Sequence, residues 1–240
     1  KVRVPSAGRR LLYDGAKCTL MVASGRRPVA HRLDLDSGTF LSDLEVGSSS
    51  SCCDLGRGVP LTAFGCEDGI VRFFDARTSS TQPVALLDVG NDVTALAFDG
   101  DGLRIACGTA DAEVKLYDLR SKRPTLTKAH QNLLPIVDLK WHSSSRETAS
   151  SLILSSDARV LKAWDSRDGK VFTNVEPSSP LNHVAVAPSS DERDSGLILM
   201  AGEQARVMAY YVPALGRAPR WCASVWQSTV ILRNIAWTFV

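Results

Sequence analysis

One short pattern recurs along this chain at a spacing of 41 to 47 residues. Each copy is a short, largely apolar segment that ends in aspartate, and the copies are VAHRLD (29–34), VRFFD (71–75), VKLYD (114–118) and LKAWD (161–165). A fifth copy, VMAYY (207–211), ends in tyrosine. A repeat of this length constrains the fold strongly, because each repeat must be one supersecondary unit that buries its apolar face against a neighbouring copy.

Each copy belongs to a predicted unit of four short strands. A second apolar segment precedes each copy, and tight-turn residues follow that segment at Asp68-Gly69, Asp111-Ala112 and Asp157-Ala158. Further strands are predicted before these hairpins at 93–98, 136–141 and 183–187, and after them at 84–87 and 125–127. The pattern predicts an all-β fold, a WD40-type β-propeller that is incomplete, with about five blade units of a seven-blade-type ring. A β-sandwich would explain the strands but not an aspartate at one phase of a longer period.

One unit carries polar residues of the kind that WD40 blades join in a buried hydrogen-bond chain. The residues are His130 before the inner strand, Ser155 or Ser156 on the second, Asp157 in the turn and Trp164 on the third. Such a chain lets polar groups stay buried without an unsatisfied donor. The preceding unit keeps Thr109 and Asp111. The unit before that keeps Asp68 but has Cys66 and Phe74, so we expect its polar chain to be incomplete. Asp157 also precedes its Trp by one residue more than Asp111 precedes Tyr117, which predicts a bulge or a longer turn.

Composition excludes several classes of protein. The 28 Lys and Arg against 26 Asp and Glu leave a net charge of +2, so no overall field favours nucleic acid or an anionic membrane. No apolar stretch is long enough to span a bilayer, and the first thirty residues do not resemble a signal peptide. The six cysteines predict reduced, buried thiols, with Cys18, Cys66 and Cys107 in strand-like segments. We expect Cys52 and Cys53, which follow a serine run, to lie in a flexible linker. The chain begins at Lys1, which predicts a fragment.

No catalytic or metal-binding motif stands out. The four histidines lie outside any nucleophile elbow, and we expect structural roles for His31, His130, His142 and His183. The chain has no HExxH, P-loop or GxGxxG motif and no spaced set of metal ligands. The aspartate-rich segments 34–38 and 99–102 lack the glutamate of a calcium loop and are interpreted as turns. The sequence therefore predicts a non-enzymatic protein with no catalytic residue, metal or cofactor.

Local basic clusters are candidate contacts for a partner or for RNA. The candidates are Arg120, Lys122, Arg123, Arg217 and Arg220. Each side chain has the charge to contact a phosphate. The alternative is that these charges are solvated and prevent edge-to-edge strand pairing.

Three segments of the chain carry a family resemblance. They are HQNLLPI (130–136), LILSSDAR (152–159) and, above all, YYVPALGRAPRWC (210–222). On these segments the chain resembles the nucleolar protein 10 family of WD40-repeat ribosome-biogenesis factors. The third is the most specific, because a propeller has no general need for its residues Tyr210, Tyr211, Pro213, Gly216, Pro219 and Trp221.

The resemblance implies a function. It implies a non-enzymatic scaffold of the small-subunit processome in the nucleolus, inside the nucleus, needed for precursor ribosomal RNA processing and 18S rRNA maturation. The implied partners are ribosome-assembly proteins, the U3 ribonucleoprotein and precursor rRNA, with no membrane and no small-molecule substrate. The alternative is a generic WD-repeat adaptor in a ubiquitin-ligase or signalling complex. A hydrolytic propeller would need acids or histidines clustered at its central channel.

The last 18 residues differ in character from the rest. We predict a partial WD40 β-propeller over residues 1–222 and an atypical tail over 223–240. The tail, ASVWQSTVILRNIAWTFV, is strongly apolar, whereas the family usually continues with an acidic segment at this point. We therefore expect the tail not to be native family sequence.

Overall fold

A computed structural model describes residues 3–142, 152–188, 194–204, 207–212, 215–216 and 235–239. Within these ranges every regular secondary-structure element is a β-strand, and the strands form five four-stranded sheets. None of the described segments forms a helix long and apolar enough to cross a membrane. The chain divides into two compact units, Lys1–Ile136 and Val137–Val240.

The first unit contains three sheets. Sheet 1 comprises β1 (Gly8–Asp14), β2 (Thr19–Ser24), β3 (Val29–Asp34) and β4 (Leu44–Glu45). Sheet 2 comprises β5 (Ser50–Leu55), β6 (Leu61–Cys66), β7 (Ile70–Asp75) and β8 (Ala85–Asp88). Sheet 3 comprises β9 (Val93–Phe98), β10 (Arg104–Thr109), β11 (Glu113–Asp118) and β12 (Leu126–Ala129).

The second unit contains two sheets. Sheet 4 comprises β13 (Asp138–His142), β14 (Leu152–Ser156), β15 (Leu161–Asp165) and β16 (Val171–Val175). Sheet 5 comprises β17 (Leu181–Pro188), β18 (Asp194–Gly202), β19 (Val207–Tyr211) and β20 (Ile235–Phe239).

Each sheet is an antiparallel meander in which strands adjacent in sequence pair with one another. The repeated segments of the sequence form the third strand of each sheet, as the pattern predicts. Turns between the second and third strands require left-handed backbone angles, with φ of +78° at Gly69 and +63° at Ala112. Glycine adopts this conformation without strain, whereas alanine does so at a cost.

The cores of the first unit lie between neighbouring sheets. Sheets 2 and 3 bury a cluster that includes Cys52, Phe73, Val93 and Ile105. Sheets 1 and 2 bury another that includes Met21 and Phe64. Because side chains alternate between the two faces of a strand, sheet 2 contributes one face to sheet 1 and the other face to sheet 3.

The second unit is built in the same way. Sheets 4 and 5 bury a cluster that includes Leu154, Leu161, Ile198 and Met200. The interior therefore has the apolar layers between stacked sheets that the repeat predicts.

Two expectations about cysteines are wrong. Cys52 and Cys53 lie in β5, paired with Gly65 and Phe64, and not in a linker. Both thiols are buried, and burial raises the pKa of Cys53 to about 12. Cys18 lies just before β2 in the left-handed region with φ of +49°, and its side chain is partly exposed. The expected burial applies to Cys66 and Cys107, where removal from water raises the thiol pKa, to about 11 for Cys66.

Candidate functional site

Trp164 and Ser155 are joined by a buried hydrogen bond in sheet 4. The indole Nε1–H of Trp164 donates to Ser155 Oγ over 2.9 Å, and both side chains are fully buried. The bond links the second strand to the third, and the indole supplies the largest fully buried side chain described. A buried indole N–H needs such an acceptor, since leaving it unpaired would cost its desolvation energy.

Asp157 closes the turn between these two strands. Its Oδ1 accepts hydrogen bonds from the backbone N–H groups of Arg159 at 2.7 Å and Val160 at 2.8 Å. The turn spans residues 157–160, one more than the turn at 110–112, so the extra residue before Trp164 produces a longer turn. The buried carboxylate holds the hairpin by bonding to its backbone.

His130 belongs to the first unit, whereas Ser155, Asp157 and Trp164 belong to the second. Its side chain is buried, and its backbone N–H donates to the carbonyl of Ala112 at 2.8 Å. The four-residue chain that includes His130 therefore stays a prediction.

Sheet 3 uses Thr109 and Asp111 in separate contacts. The Thr109 hydroxyl donates to the carbonyl of Glu113 at 3.2 Å and accepts from the Glu113 N–H at 3.3 Å, which bridges its own turn. Asp111 accepts a hydrogen bond from the side-chain amide of Asn91, a residue that the sequence pattern does not indicate. Burial raises the pKa of Tyr117 on the third strand to about 12.

In sheet 2, where the sequence predicts an incomplete polar chain, Asp68 forms an ion pair with Arg72. Arg72 donates from Nη1 and Nη2 to the carboxylate of Asp68, over 3.0 and 2.6 Å. The guanidinium holds the pKa of Asp68 below its ordinary value. Arg72 was also missed, although a charged residue inside the apolar strand β7 is a visible signal.

A polar chain that the sequence pattern does not predict lies in sheet 1. Ser6 Oγ is 2.7 Å from His31 Nε2, and His31 Nδ1 is 2.9 Å from a carboxylate oxygen of Asp43. The Ser24 hydroxyl lies 3.0 Å from Ser6 Oγ. The order serine, histidine, aspartate is that of a hydrolytic triad. Here, however, the imidazole is buried and the aspartate is exposed, which reverses the usual arrangement.

Asp138 is a buried carboxylate that joins two strands of the second unit. It lies on β13, and its Oδ2 accepts from the backbone N–H of Val184 at 2.9 Å and lies 2.7 Å from His183 Nδ1, both on β17. Lys140 Nζ is 3.7 Å from the other oxygen. Burial by itself would raise the pKa of Asp138, but His183, Lys140 and the Val184 N–H more than offset burial and lower it. No local sequence signal points to Asp138, because its partner His183 lies 45 residues further along the chain.

Arg120 is held in an ion pair on the turn after β11. Its Nε and Nη2 donate to the two carboxylate oxygens of Asp118 over 2.9 and 2.6 Å, and the side chain is 79% exposed. This pairing holds the pKa of Asp118 well below its ordinary value. The same pairing occurs between Asp75 and Arg77.

Lys122 and Arg123 are exposed on the same turn as Arg120. Arg217 and Arg220 lie outside the described residues.

The family motif folds back over β18. Tyr211 Oη donates to the carbonyl of Gly216 at 3.3 Å, and Leu215 is fully buried. Tyr210 is half-buried, and burial raises its pKa.

A Cβ on Gly196 would lie 2.5 Å from the carbonyl oxygen of Val212 and 2.6 Å from that of Gly216. The motif therefore packs onto a glycine that leaves it room. Its other predicted residues, Pro213, Pro219 and Trp221, lie outside the described residues.

Gly196→Ala is expected to destabilise the protein by about 1–3 kcal/mol, because the backbone atoms that its Cβ would meet cannot move aside cheaply. Thermal unfolding followed by circular dichroism measures the change. Gly100→Ala is the matched control, since a Cβ at Gly100 would meet nothing within 4 Å. Equal melting temperatures for the two variants would contradict this packing.

No metal centre is apparent in the described part of the chain. Among those residues, no group of three or more histidines, cysteines, aspartates or glutamates is placed to hold a metal ion. The polar clusters instead bond to backbone or to one another, which is the arrangement expected of a rigid frame.

Comparison with solved structures identifies the class of protein. One chain in the "Crystal Structure of Mitotic Checkpoint Complex" is a WD40 propeller. It superimposes on this chain with a TM-score of 0.71, and the two sequences are 20% identical. The match covers 86% of this chain and 61% of that chain. The fold is thus a WD40-type β-propeller, and the all-β prediction with five blade units is confirmed.

Sequence comparison identifies the family. The family model described as "Nucleolar protein 10-like, N-terminal domain" matches residues 1–230, and the chain belongs to this family. "Nucleolar protein 10" of Homo sapiens is 38% identical over 93% of this chain, and that of Xenopus laevis is 37% identical over 93%. "Ribosome biogenesis protein enp2 homolog" of Schizosaccharomyces pombe is 34% identical over 92%.

The chain spans about a third of the length of these relatives, between 32% and 37%. The family match extends to residue 230, and Ile235–Phe239 form β20, which pairs antiparallel with β19. A propeller boundary at residue 222 with an atypical tail over 223–240 stays a prediction.

Proposed function

We propose that this chain is part of a non-enzymatic scaffold that acts in ribosome biogenesis in the nucleolus. More specifically, we propose that it works in the small-subunit processome and is needed for precursor rRNA processing and 18S rRNA maturation. The proposed partners are ribosome-assembly proteins, the U3 ribonucleoprotein and precursor rRNA. The observation that carries the proposal is the family match over residues 1–230, with relatives named for the nucleolus and for ribosome biogenesis.

The structure suits a scaffold because buried or partly buried polar side chains form hydrogen bonds to the backbone of neighbouring segments. Asp138 connects β13 to β17, and the Thr94 hydroxyl on β9 donates to the carbonyl of Ile136 at 2.6 Å. Such contacts hold the turns in fixed positions, so a partner that binds several turns pays little entropy to order them. Recognition by many modest contacts on a rigid frame is the mechanism that we propose.

Among the predicted RNA contacts that lie in the described residues, Lys122 and Arg123 are the best placed. Both are exposed, whereas the guanidinium of Arg120 already bonds to both oxygens of Asp118. A phosphate would have to compete with that carboxylate for Arg120. We therefore propose Lys122 and Arg123 as the phosphate contacts on this turn.

The double variant Lys122→Glu and Arg123→Glu is expected to weaken binding of precursor rRNA to the full-length protein by about tenfold at 0.1 M salt, since two cationic contacts are reversed. Filter binding across a salt series measures the affinity and the slope. Arg77→Glu is the control, because Arg77 lies on the corresponding turn of sheet 2 but its guanidinium is already paired with Asp75, as that of Arg120 is with Asp118. An unchanged affinity and salt slope would show that this turn does not contact RNA.

We assign a structural role to Ser6, His31 and Asp43. The buried imidazole connects the segment before β1 to the segment before β4, as expected of a residue that fixes the edge of a sheet. A fluorophosphonate probe, which labels activated serines, is expected to leave Ser6 unmodified under conditions that label chymotrypsin fully. Labelling that Ser6→Ala or His31→Ala abolishes would instead make this protein a hydrolase.

Depletion and rescue test the cellular role. Cells depleted of the protein are expected to accumulate 18S precursors while 28S maturation proceeds, and the full-length protein should restore processing. Northern blotting of both branches measures the effect. Normal 18S processing after complete depletion would exclude the proposed function, and accumulation of ubiquitin-ligase substrates would favour an adaptor role.

A further inference from the structure

The loop after β12 presents a leucine in a strained backbone conformation. Leu133 has φ of +52°, in the left-handed region that branched residues rarely adopt. Its side chain is 81% exposed. A side chain in water gains no burial energy that would offset the backbone strain, so the rest of the loop must impose this conformation.

Both ends of the loop are fixed to sheet 3. At one end, His130 is buried and its N–H donates to the carbonyl of Ala112 at 2.8 Å. At the other, Ile136 is buried, its N–H donates to the carbonyl of Thr109 at 3.1 Å, and its carbonyl accepts from the Thr94 hydroxyl at 2.6 Å. Only residues 131–135 lie between these anchors, so the tip is held above the turn of sheet 3.

Polar residues lie on this loop, and acidic residues lie on the turn to which the loop is bonded. Gln131 and Asn132 precede Leu133 and are exposed. Asp111 precedes Ala112, to which the loop is bonded, and the carbonyl of Asp92 accepts from the Ala110 N–H at 2.9 Å on the same turn. Asp92 and Asp111 are both exposed. The loop thus offers an exposed leucine, followed by the partly exposed Leu134 and the exposed Pro135, next to a polar and negatively charged turn.

We infer that Leu133 anchors a protein-binding surface whose partner has an apolar pocket bordered by lysine or arginine. An apolar anchor with a polar rim is the arrangement of an interaction hot spot, and a loop fixed in advance loses little entropy on binding. The acidic border repels phosphate, so the surface fits a protein and not RNA. The inference rests on the proposed function insofar as the partner is a ribosome-assembly protein.

Full-length tagged protein tests the inference in purified pre-ribosomal particles. Leu133→Asp and Leu133→Gly are each expected to lower the amount of at least one co-purifying protein by tenfold or more, as measured by quantitative mass spectrometry. Leu86→Asp is the matched control, because Leu86 is 57% exposed on the regular strand β8 and should cause no loss. Retention of every protein by both Leu133 variants would overturn the inference.

Glycine at position 133 separates binding from folding. Because φ of +52° suits glycine, Leu133→Gly should melt at the same temperature as the wild type or higher, while partner binding falls. A parallel loss of melting temperature and binding would make Leu133 structural and overturn the inference. A photo-crosslinker at position 133 should attach to a pocket in the lost protein that contains basic residues, whereas crosslinking to RNA would contradict it. If wild-type particles contained no precursor rRNA, the proposed function would be refuted. A co-purifying protein that is lost only from the Leu133 variants would still support the binding surface at Leu133.

Discussion

Replacing Trp164 with alanine is expected to lower the free energy of unfolding by about 3–5 kcal/mol, because a large cavity replaces a fully buried indole. The hydroxyl of Ser155 also loses the N–H that donates to it at 2.9 Å. Urea denaturation followed by circular dichroism measures the loss. The effect should be one of the largest available from a single substitution, since Trp164 contributes both apolar volume and a buried hydrogen bond.

Two further variants separate these contributions. Trp164→Phe keeps most of the ring but removes the N–H, so it should cost about 1–2 kcal/mol. Phe172→Ala removes an aromatic ring that is half exposed on β16, and it should change stability by less than about 1 kcal/mol. If Trp164→Ala were no more destabilising than Phe172→Ala, sheet 4 would not pack as described.

Asp138→Ala is expected to cost about 3 kcal/mol, because it removes a buried charge that accepts the Val184 N–H and pairs with His183. Asp138→Asn keeps an acceptor for the N–H but loses the charge, so its cost should be intermediate. Asp101→Asn, at an exposed position, is the control. Equal stabilities for the alanine variant and the control would contradict the contact between β13 and β17.

Acid titration gives this prediction a second readout. The pKa of Asp138 in the folded protein lies below its ordinary value, so the unfolded chain binds its proton first as the pH falls. The stabilisation is therefore present above about pH 4 and is lost as the pH falls through the lower, folded pKa. The stability difference between the wild type and Asp138→Asn should narrow below pH 4. A difference that is constant from pH 7 to pH 3 would mean that the charge of Asp138 contributes nothing.

The third strands and their turns could be predicted because their signals are local. An apolar alternation that ends in aspartate sets both the face and the end of a strand such as β7, and Asp68-Gly69 marks the turn before it. Cys52 and Cys53 were placed wrongly because a serine run resembles a linker. In the structure Ser50, Cys52 and Cys53 are all buried within β5, so the small serines belong to the strand.

The polar contacts between distant residues could not be predicted in the same way. Asn91 bonds to Asp111, and Asp138 bonds to His183, only because separate strands are brought side by side. Which polar residue fills such a position depends on register, and different sheets use different ones. Sheet 2 uses Arg72 where sheet 4 has Lys162 at the same distance from the strand-ending aspartate.

Affinity purification of the full-length protein, followed by sequencing of the bound RNA and identification of the bound proteins, tests the central proposal most directly. The proposed function predicts enrichment of U3 RNA and of precursor rRNA that contains 18S sequence, together with ribosome-assembly proteins. Recovery of ubiquitin-ligase or signalling proteins, with neither U3 nor precursor rRNA above the level of an untagged control, would contradict it.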